Sequence, residues 1–249
     1  MGEEGRMVNK KRISIILPVY NEECILGENI PKIISCFDSI VGEDYEIVIA
    51  DDGSTDDTPD IAKNLAGGDS RIKYFKGSSS RTRREILGEV IPSLESDIIA
   101  FMDMDLATDL KHARELIDAV ENQGYSISTG SRWMKSSKTK REKSRFFISL
   151  AYNNFVRLLF GSRIRDHQCG FKAFRREAAI ALLKEMGHSK RRGWSWDTEL
   201  LIRAQKKGRG IYEFPVCWNA GQRTSFKFVA DCASIFAYLI YLRVVLLLS

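Results

Sequence analysis

The sequence predicts an α/β fold with a mostly parallel sheet flanked by helices. Short apolar runs alternate with stretches of helical apolar spacing from residue 13 to residue 129, the order typical of parallel strand–helix units. Acidic turns follow two of the apolar runs, and parallel sheets bind ligands beyond the carboxyl ends of their strands. The 249 residues, 44% hydrophobic and 29% charged, suit one large domain or two small ones and exclude disordered and collagen-like chains.

The elements of the first half follow from these patterns. Buried strands are predicted because each run is short, apolar and bounded by turn residues. Asp56 or Asp57 is suited to cap the second helix. The predicted strands are 13–19, 45–50, 71–75, 97–102 and 125–129, and the predicted helices are 23–40, 60–65 and 109–123.

The second half differs in composition. A basic stretch at 132–145 is predicted to be mobile. It precedes predicted helices at 146–160, 175–186 and 197–207, and a strand at 210–218.

The end of the chain, residues 226–249, is strongly apolar. Its clean apolar core, 235–248, is interrupted by Arg243 and is shorter than the roughly 18–20 residues of a membrane-spanning helix. A helix lying in the membrane interface fits this pattern. A helix packed on the domain or on a second subunit is the open alternative.

Charge is divided unevenly along the chain. Residues 1–131 carry a net charge of −11 and residues 132–249 a net charge of +16, which favours an anionic partner for the second half. Nucleic acid is not expected, because aromatic residues should then interleave with the basic run, and 132–145 holds Trp133 alone.

Cysteine usage and the N-terminus favour a cytoplasmic location. The five cysteines form no Cys-x-x-Cys pair, so neither a zinc site nor a disulfide framework is expected. The first twelve residues are charged and lack a signal-peptide core.

Two acidic turns carry the candidate chemistry. Asp103-Met104-Asp105 follows the fourth strand, and two carboxylates there suit Mg²⁺ or Mn²⁺ completed by phosphate oxygens and water. Asp51 and Asp52 follow the second strand. They suit hydrogen bonds from a base or a ribose, although turn and cap residues of this kind need no ligand.

Taken in order, the motifs resemble family 2 glycosyltransferases of the GT-A fold, a Rossmann-like α/β fold. The early segments are LPVYNEE (17–23), YEIVIADDGSTDDT (45–58), FMDMDLAT (101–108) and GSR (130–132). Later segments are similar to the dolichyl-phosphate glucosyltransferase branch, with the dolichyl-phosphate mannosyltransferases as close relatives. These are DHQCGFKAFRREA (166–178), GWSWDTELLIRA (193–204) and FPVCW (214–218).

The resemblance implies an inverting, metal-dependent enzyme of glycan or N-glycosylation precursor synthesis. It would move a sugar, glucose ahead of mannose, from a nucleotide diphosphate sugar to a polyprenyl (dolichyl) phosphate, with UDP-glucose favoured over GDP-mannose. We expect it at the cytoplasmic face of an anionic membrane, as a peripheral or monotopic protein; a homodimer through the C-terminal helix is also compatible. The implied division is a tail (1–12), a transferase domain (13–225, with nucleotide-sugar half 13–131 and acceptor half 132–225) and a C-terminal helix (226–249).

The resemblance also implies roles for single residues. The catalytic group would comprise Asp103, Asp105, Arg132 and Asp197, with Asp103 and Asp105 holding the metal. The nucleotide sugar would contact Pro18, Tyr20, Glu22, Asp51, Asp52, Met104, Arg223 and Lys227. The acceptor phosphate would contact Arg132, Arg145 and Ser149.

The nature of the nucleophile separates the alternatives. A phosphate monoester, with a second pKa of about 6, needs arginines to orient it and no base. Asp197 is interpreted either as a helix N-cap or as a general base. If it acts as a base, the acceptor is a sugar hydroxyl. GDP-mannose-dependent transfer and a non-enzymatic nucleotide-sugar-binding scaffold are further alternatives. The loop at 77–90 departs from the family's glycine-rich pattern, because it carries Arg81, Arg83 and Arg84.

Overall fold

The computed structural model describes residues 12–78, 84–140, 142–189, 192–220 and 228–248. Within these ranges nine strands form a seven-stranded and a two-stranded sheet. The strands are β1 (Ile13–Val19), β2 (Tyr45–Asp51), β3 (Ile72–Lys76), β4 (Ile98–Met102), β5 (Ile127–Ser131), β6 (Lys138–Lys140), β7 (Phe171–Arg175), β8 (Ile211–Pro215) and β9 (Cys217–Asn219).

Eight α-helices lie in the same described ranges. They are α1 (Glu23–Val41), α2 (Thr58–Gly68), α3 (Glu85–Val90), α4 (Ala113–Glu121), α5 (Lys143–Phe160), α6 (Arg176–Met186), α7 (Trp196–Lys206) and α8 (Phe228–Leu248). Short 3₁₀ turns precede α4 and α7 and follow α3.

The large sheet has the strand order β3-β2-β1-β4-β7-β5-β8. Strands β1 to β4 pair in parallel, as do β5 and β8, whereas β7 runs antiparallel between β4 and β5. The mostly parallel sheet is therefore confirmed. The antiparallel strand β7 was not predicted, because its sequence FKAFR was interpreted only as part of a motif.

Helices cover both faces of this sheet, which explains the continuous apolar runs of its central strands. Successive side chains of β1 enter opposite cores: Ile15 packs with α1, α2 and α4, and Ile16 packs with α3, α6 and α7. Both side chains are fully buried, and each such burial stabilises the fold by roughly 1.5–3 kcal/mol.

Several element boundaries differ from the predictions. The strand predicted at 210–218 is broken at Val216, whose N–H bonds to the carbonyl of Ser131; beyond it, β9 leaves the large sheet to pair with β6. The helix predicted at 109–123 begins as a 3₁₀ turn and is α-helical from Ala113. Of the two candidate caps of α2, Asp56 accepts the Thr58 N–H at 3.1 Å.

The C-terminal helix α8 packs against α5. Ile235, Tyr238, Leu239, Leu242 and Leu246 form the buried side of α8, with the three-to-four-residue spacing of one helix face. No helix in the described part of the chain is long and apolar enough to cross a bilayer. The two helices also expose large apolar side chains, namely Phe147, Leu158, Phe236, Ile240, Tyr241, Val244, Leu247 and Leu248.

A buried ion-pair network joins α3, α7 and α8. Arg192 lies 2.5 Å from both Glu85 of α3 and Glu199 of α7, and the Tyr238 hydroxyl of α8 donates to Glu199 at 2.5 Å. All four side chains are buried. Because a buried charge is tolerated only when it is paired, Arg192 fixes the relative positions of these three helices.

Replacing this central arginine should destabilise the protein. Arg192→Met removes the cation that Glu85 and Glu199 share and leaves Glu199 paired with Arg203. We expect a loss of about 3–5 kcal/mol in the free energy of unfolding, measured by urea denaturation. The control Lys63→Met breaks an exposed pair with Asp60 and should cost at most about 1 kcal/mol. Equal losses in the two variants would contradict this account.

Candidate active site

The candidate site forms where parallel strands end at one edge of the sheet. Pro18 and Val19 of β1 pair with Ala50 and Asp51 of β2, which brings the turns after these strands together. The turn after β2 is also tied to β1 through the Asp52 N–H, which bonds to the Val19 carbonyl at 2.9 Å. The structure thus brings the segments with Pro18, Asp51 and Asp52 to a common edge.

Interlocking hydrogen bonds order the loops that follow these strands. Asp51 is buried, and its oxygens accept the Ser54 N–H and the Tyr74 hydroxyl, both at 2.8 Å. The backbone N–H of Glu22 donates to Thr58 Oγ1 at 2.8 Å. Tyr20 is half-buried on the same loop. Tyr74 was missed by the sequence analysis, because its pairing with Asp51 depends on the parallel register of β2 and β3.

In the acidic turn after β4, a buried methionine separates the two aspartates in the sequence. Met104 is buried, and its carbonyl accepts the Asn29 side-chain amide at 2.9 Å. Asp105 Oδ1 accepts the Ala107 N–H at 3.0 Å. Leu106, directly after Asp105, has a φ of 50°, a left-handed conformation that strains a branched side chain. This turn is therefore held by tertiary contacts against its local preference.

The two carboxylates of this turn fit a hard divalent cation. Loss of solvation and the neighbouring charge of Asp103 raise the pKa of Asp105, and a cation between the two groups would relieve that repulsion. No cluster of three or more His, Cys, Asp or Glu side chains suited to a metal occurs among the described residues. A cation held by Asp103 and Asp105 would thus take its other oxygens from a diphosphate and water.

Arg84 links this turn to Asp197, which also pairs with a second cation, Lys172. Arg84 Nη2 is 2.5 Å from Asp103 Oδ1, and Arg84 Nε is 3.4 Å from Asp197 Oδ2. The buried Lys172 of β7 reaches Asp197 Oδ1 at 2.9 Å. Both cations also lie over the ring of Phe101, at 5.1 and 5.6 Å from its centroid.

The same contacts define the place of Asp197. It belongs to the first turn of α7, which begins one residue earlier at Trp196, so Asp197 is not the N-cap. Arg84 and Lys172 were not predicted as site residues. A lysine inside the apolar run of β7 was the available signal for Lys172, since an isolated charge in a buried strand requires a partner.

Glycine is required where β7 approaches the acidic turn. The Asp103 N–H bonds to the Gly170 carbonyl at 3.1 Å. A β-carbon at Gly170 would lie 2.0 Å from Asp103 Oδ2 and 2.6 Å from Arg84 Nη2. Any larger residue would therefore displace the Arg84–Asp103 ion pair.

Arg132, a predicted phosphate ligand, forms a buried ion pair at the end of β5. Its Nε and Nη2 contact the Asp166 carboxylate at 2.6 and 2.8 Å, and its backbone N–H bonds to the same group at 2.9 Å. This pairing outweighs the effect of burial and lowers the pKa of Asp166 to about 2. The guanidinium also lies 5.4 Å from the ring of Trp218. Its Nη1 is the nitrogen outside the ion pair.

The other predicted phosphate ligands lie on α5. Arg145 is exposed and pairs with Glu142, near the start of the helix, at 3.5 Å. Ser149 follows four residues later and therefore lies on the same side of α5. Trp133, next to Arg132, contacts Phe146, next to Arg145, with ring centroids 4.8 Å apart, so the start of α5 lies close to the end of β5.

The remaining predicted ligands, Arg223 and Lys227, lie outside the described residues. So do Arg81 and Arg83.

An open cavity of about 750 Å³ lies beside Asp105. This volume is within the range of about 300–1,000 Å³ that ligand sites occupy. Asp105, Lys138, Lys140 and Trp218 are among the residues that line it. Trp218, which lines the cavity, also contacts Arg132.

Sequence comparisons identify relatives of this chain. The model of glycosyl transferase family 2 matches residues 14–183. Glycosyltransferase AglD of Haloferax volcanii is 39% identical over 220 residues, which cover 88% of this chain and 35% of AglD. The dolichyl-phosphate beta-glucosyltransferases of Saccharomyces cerevisiae and Homo sapiens are 28% and 29% identical, over 95% and 84% of this chain. The chain spans 75% and 68% of these two enzymes, but about a third of AglD.

The fold also has relatives among solved structures. Glucosyl-3-phosphoglycerate synthase from Mycobacterium tuberculosis, in complex with Mn²⁺, UDP and phosphoglyceric acid, superposes with a TM-score of 0.65 at 17% identity. The match covers 94% of this chain and 78% of that one. The likeness shows that the two proteins share a GT-A-like fold. With the family match over residues 14–183, it leads to the conclusion that this chain belongs to glycosyl transferase family 2.

Proposed function

We propose that the protein transfers glucose from UDP-glucose to a polyprenyl phosphate such as dolichyl phosphate. The observation that carries the proposal is the position of Asp103 and Asp105 directly after β4. In the large sheet β4 lies between β2, which ends at Asp51, and β5, which Arg132 follows. The yeast and human relatives are dolichyl-phosphate beta-glucosyltransferases, which favours glucose over mannose and a lipid phosphate over a sugar hydroxyl.

The donor side of the site matches the chemistry of a diphosphate leaving group. Negative charge grows on the diphosphate as the glycosidic bond breaks. A Mg²⁺ or Mn²⁺ held by Asp103 and Asp105 would supply Lewis-acid stabilisation of that charge. Pro18, Tyr20, Glu22, Asp51, Asp52 and Met104 are proposed to contact the nucleotide sugar, and Arg223 and Lys227 to close over it.

The acceptor side matches a phosphate nucleophile. A phosphate monoester is largely ionised at neutral pH and attacks the sugar from the face opposite the diphosphate, which inverts the anomeric centre. Arg145, Ser149 and Arg132, through the Nη1 that lies outside its ion pair with Asp166, are proposed to orient it. Asp197 Oδ1 lies 2.9 Å from Lys172 and Oδ2 lies 3.4 Å from Arg84, so both oxygens of the carboxylate take part in ion pairs. This supports a positioning role for Asp197.

The exposed apolar surface of α5 and α8 supports association with a membrane, where a polyprenyl acceptor resides. Its members include Phe147, Ile240, Val244 and Leu247, and the half of the chain that carries them has a net charge of +16. We propose that residues 226–249 lie in the interface of an anionic, cytoplasm-facing leaflet. Residues 13–225 would then form the transferase domain.

The first test removes a proposed metal ligand. Asp105→Asn keeps the shape of the side chain but loses its charge, and we expect a loss of roughly 100-fold or more in Mg²⁺-dependent transfer from UDP-[¹⁴C]glucose to polyprenyl phosphate. Asp60→Asn, which removes an exposed carboxylate of α2 paired with Lys63, is the control and should stay near wild type. Undiminished transfer by Asp105→Asn would exclude this carboxylate from the reaction.

The second test separates acceptor binding from donor binding. Arg145→Gln should raise the KM for polyprenyl phosphate roughly 10-fold, because hydrogen bonds to charged groups contribute about 1.5–3 kcal/mol, while the KM for UDP-glucose stays constant. Arg157→Gln, an exposed change in the last turn of the same helix, should alter neither constant. A parallel rise of both KM values in Arg145→Gln would rule out a dedicated acceptor contact.

The third test concerns the apolar surface. The double variant Ile240→Gln/Val244→Gln removes two exposed side chains from one face of α8, and binding to phosphatidylcholine–phosphatidylglycerol vesicles in co-sedimentation should weaken by roughly 10-fold. The control Ser35→Gln/Ser39→Gln changes two exposed residues of α1. Unchanged vesicle binding, together with a dimer-to-monomer change in sedimentation velocity, would identify this surface as a subunit interface.

A further inference from the structure

Arg84 occupies a position that neither the motifs nor the family resemblance assigns to it. It directly precedes α3, and its guanidinium contacts Asp103 at 2.5 Å and Asp197 at 3.4 Å. Its side chain is 19% exposed, and Gly170 makes room for the ion pair. The guanidinium is therefore paired with one of the two carboxylates that are proposed to hold the divalent cation.

Arg84 is one of two cations that pair with the carboxylates described around it. Asp103 pairs with Arg84, and Asp197 pairs with both Arg84 and Lys172. Lys172 contacts Asp197 at 2.9 Å. Arg84 is thus the cation that compensates the acidic turn itself, in a partly desolvated place where charge pairs interact strongly.

We infer that Arg84 acts as a counter-ion of Asp103 that a divalent cation must displace, and that the displaced guanidinium then binds the diphosphate of the donor. The inference rests on the proposed cation site at Asp103 and Asp105. Asp197 gives Arg84 a second anchor, so the guanidinium leaves Asp103 without losing all its ion pairing. Since guanidinium groups pair with phosphate oxygens through parallel hydrogen bonds, a diphosphate is a suitable new partner.

This arrangement couples the two ligands of the site. Without a nucleotide, a divalent cation competes with Arg84 for Asp103 and binds weakly. With a nucleoside diphosphate present, the released Arg84 gains a partner, so cation and diphosphate each strengthen the binding of the other by the same factor. An Arg84 that served only to fix the start of α3 would produce no such coupling.

The experiment measures Mn²⁺ binding to the full chain directly, by electron paramagnetic resonance of free Mn²⁺, with and without UDP. In Arg84→Gln, Mn²⁺ binding without UDP should tighten by about fivefold or more, because its competitor is gone, and the enhancement produced by UDP should shrink by a similar factor. Arg84→Lys retains the charge and should resemble wild type. Arg114→Gln, which changes an exposed arginine on α4, should leave Mn²⁺ binding unchanged.

Two controls make the result decisive. Asp105→Asn should abolish Mn²⁺ binding in both the wild-type and the Arg84→Gln background, which locates the measured ion. Thermal unfolding followed by circular dichroism checks that each variant is folded. If Arg84→Gln does not fold, the result rests on Arg84→Lys. Weak Mn²⁺ binding without UDP and a wild-type enhancement by UDP in Arg84→Lys would support competition by charge. Loss of the weak binding or of the enhancement would oppose it.

Different results would contradict the role of Arg84 and the proposed cation site. If wild type binds Mn²⁺ but Arg84→Gln binds it equally or more weakly without UDP, Arg84 is not a competitor and the inference is wrong. If wild type binds no Mn²⁺ with or without UDP, the proposed cation site is itself wrong. Tighter binding in Arg84→Gln with an undiminished UDP effect would refute the transfer of Arg84 to the diphosphate.

Discussion

The structure depends on how the negative charges at the carboxyl end of β4 are compensated. Asp103 and Asp105 lie two residues apart, and loss of solvation together with the neighbouring charge of Asp103 raises the pKa of Asp105. Carboxylates crowded in this way remain ionised only where cations face them. Arg84 provides such a cation for Asp103, and Asp197 pairs with both Arg84 and Lys172 of β7. A set of ion pairs therefore lies at the edge of an apolar sheet.

The fold holds these charges in place through long-range contacts. The antiparallel strand β7 enters the sheet beside β4 and delivers both Gly170, which leaves room for the Arg84–Asp103 pair, and Lys172. On the other side, Arg192 connects Glu85, the residue after Arg84, with Glu199, two residues after Asp197. The position of Arg84 relative to Asp197 thus follows from a buried network that also reaches α8.

In the proposed acceptor half, an ion pair likewise holds a site residue in place, and here that residue is a cation. Arg132 is held by the buried Asp166, and the ring of Trp218 lies beside its guanidinium. Arg145 remains exposed on α5, the helix against which α8 packs. A polyprenyl phosphate held at this place would have its charge near the arginines and its chain near the apolar surface of α5 and α8. The proposed membrane orientation and the proposed acceptor site are therefore consistent with each other.

Much of this was accessible from sequence because it depends on local pattern. The apolar runs of β1, β2 and β4 predict strands buried on both faces, and the acidic turns that follow them predict a site at their ends. The family resemblance came from the order of short motifs, and the match over residues 14–183 confirms it. Other features depend on residues far apart in the chain: the insertion of β7 between β4 and β5, the break at Val216 between β8 and β9, and the partners of Arg84, Lys172 and Tyr74. Strand pairing and the neutralisation of buried charge select these partners, and both are properties of the assembled structure rather than of any one segment.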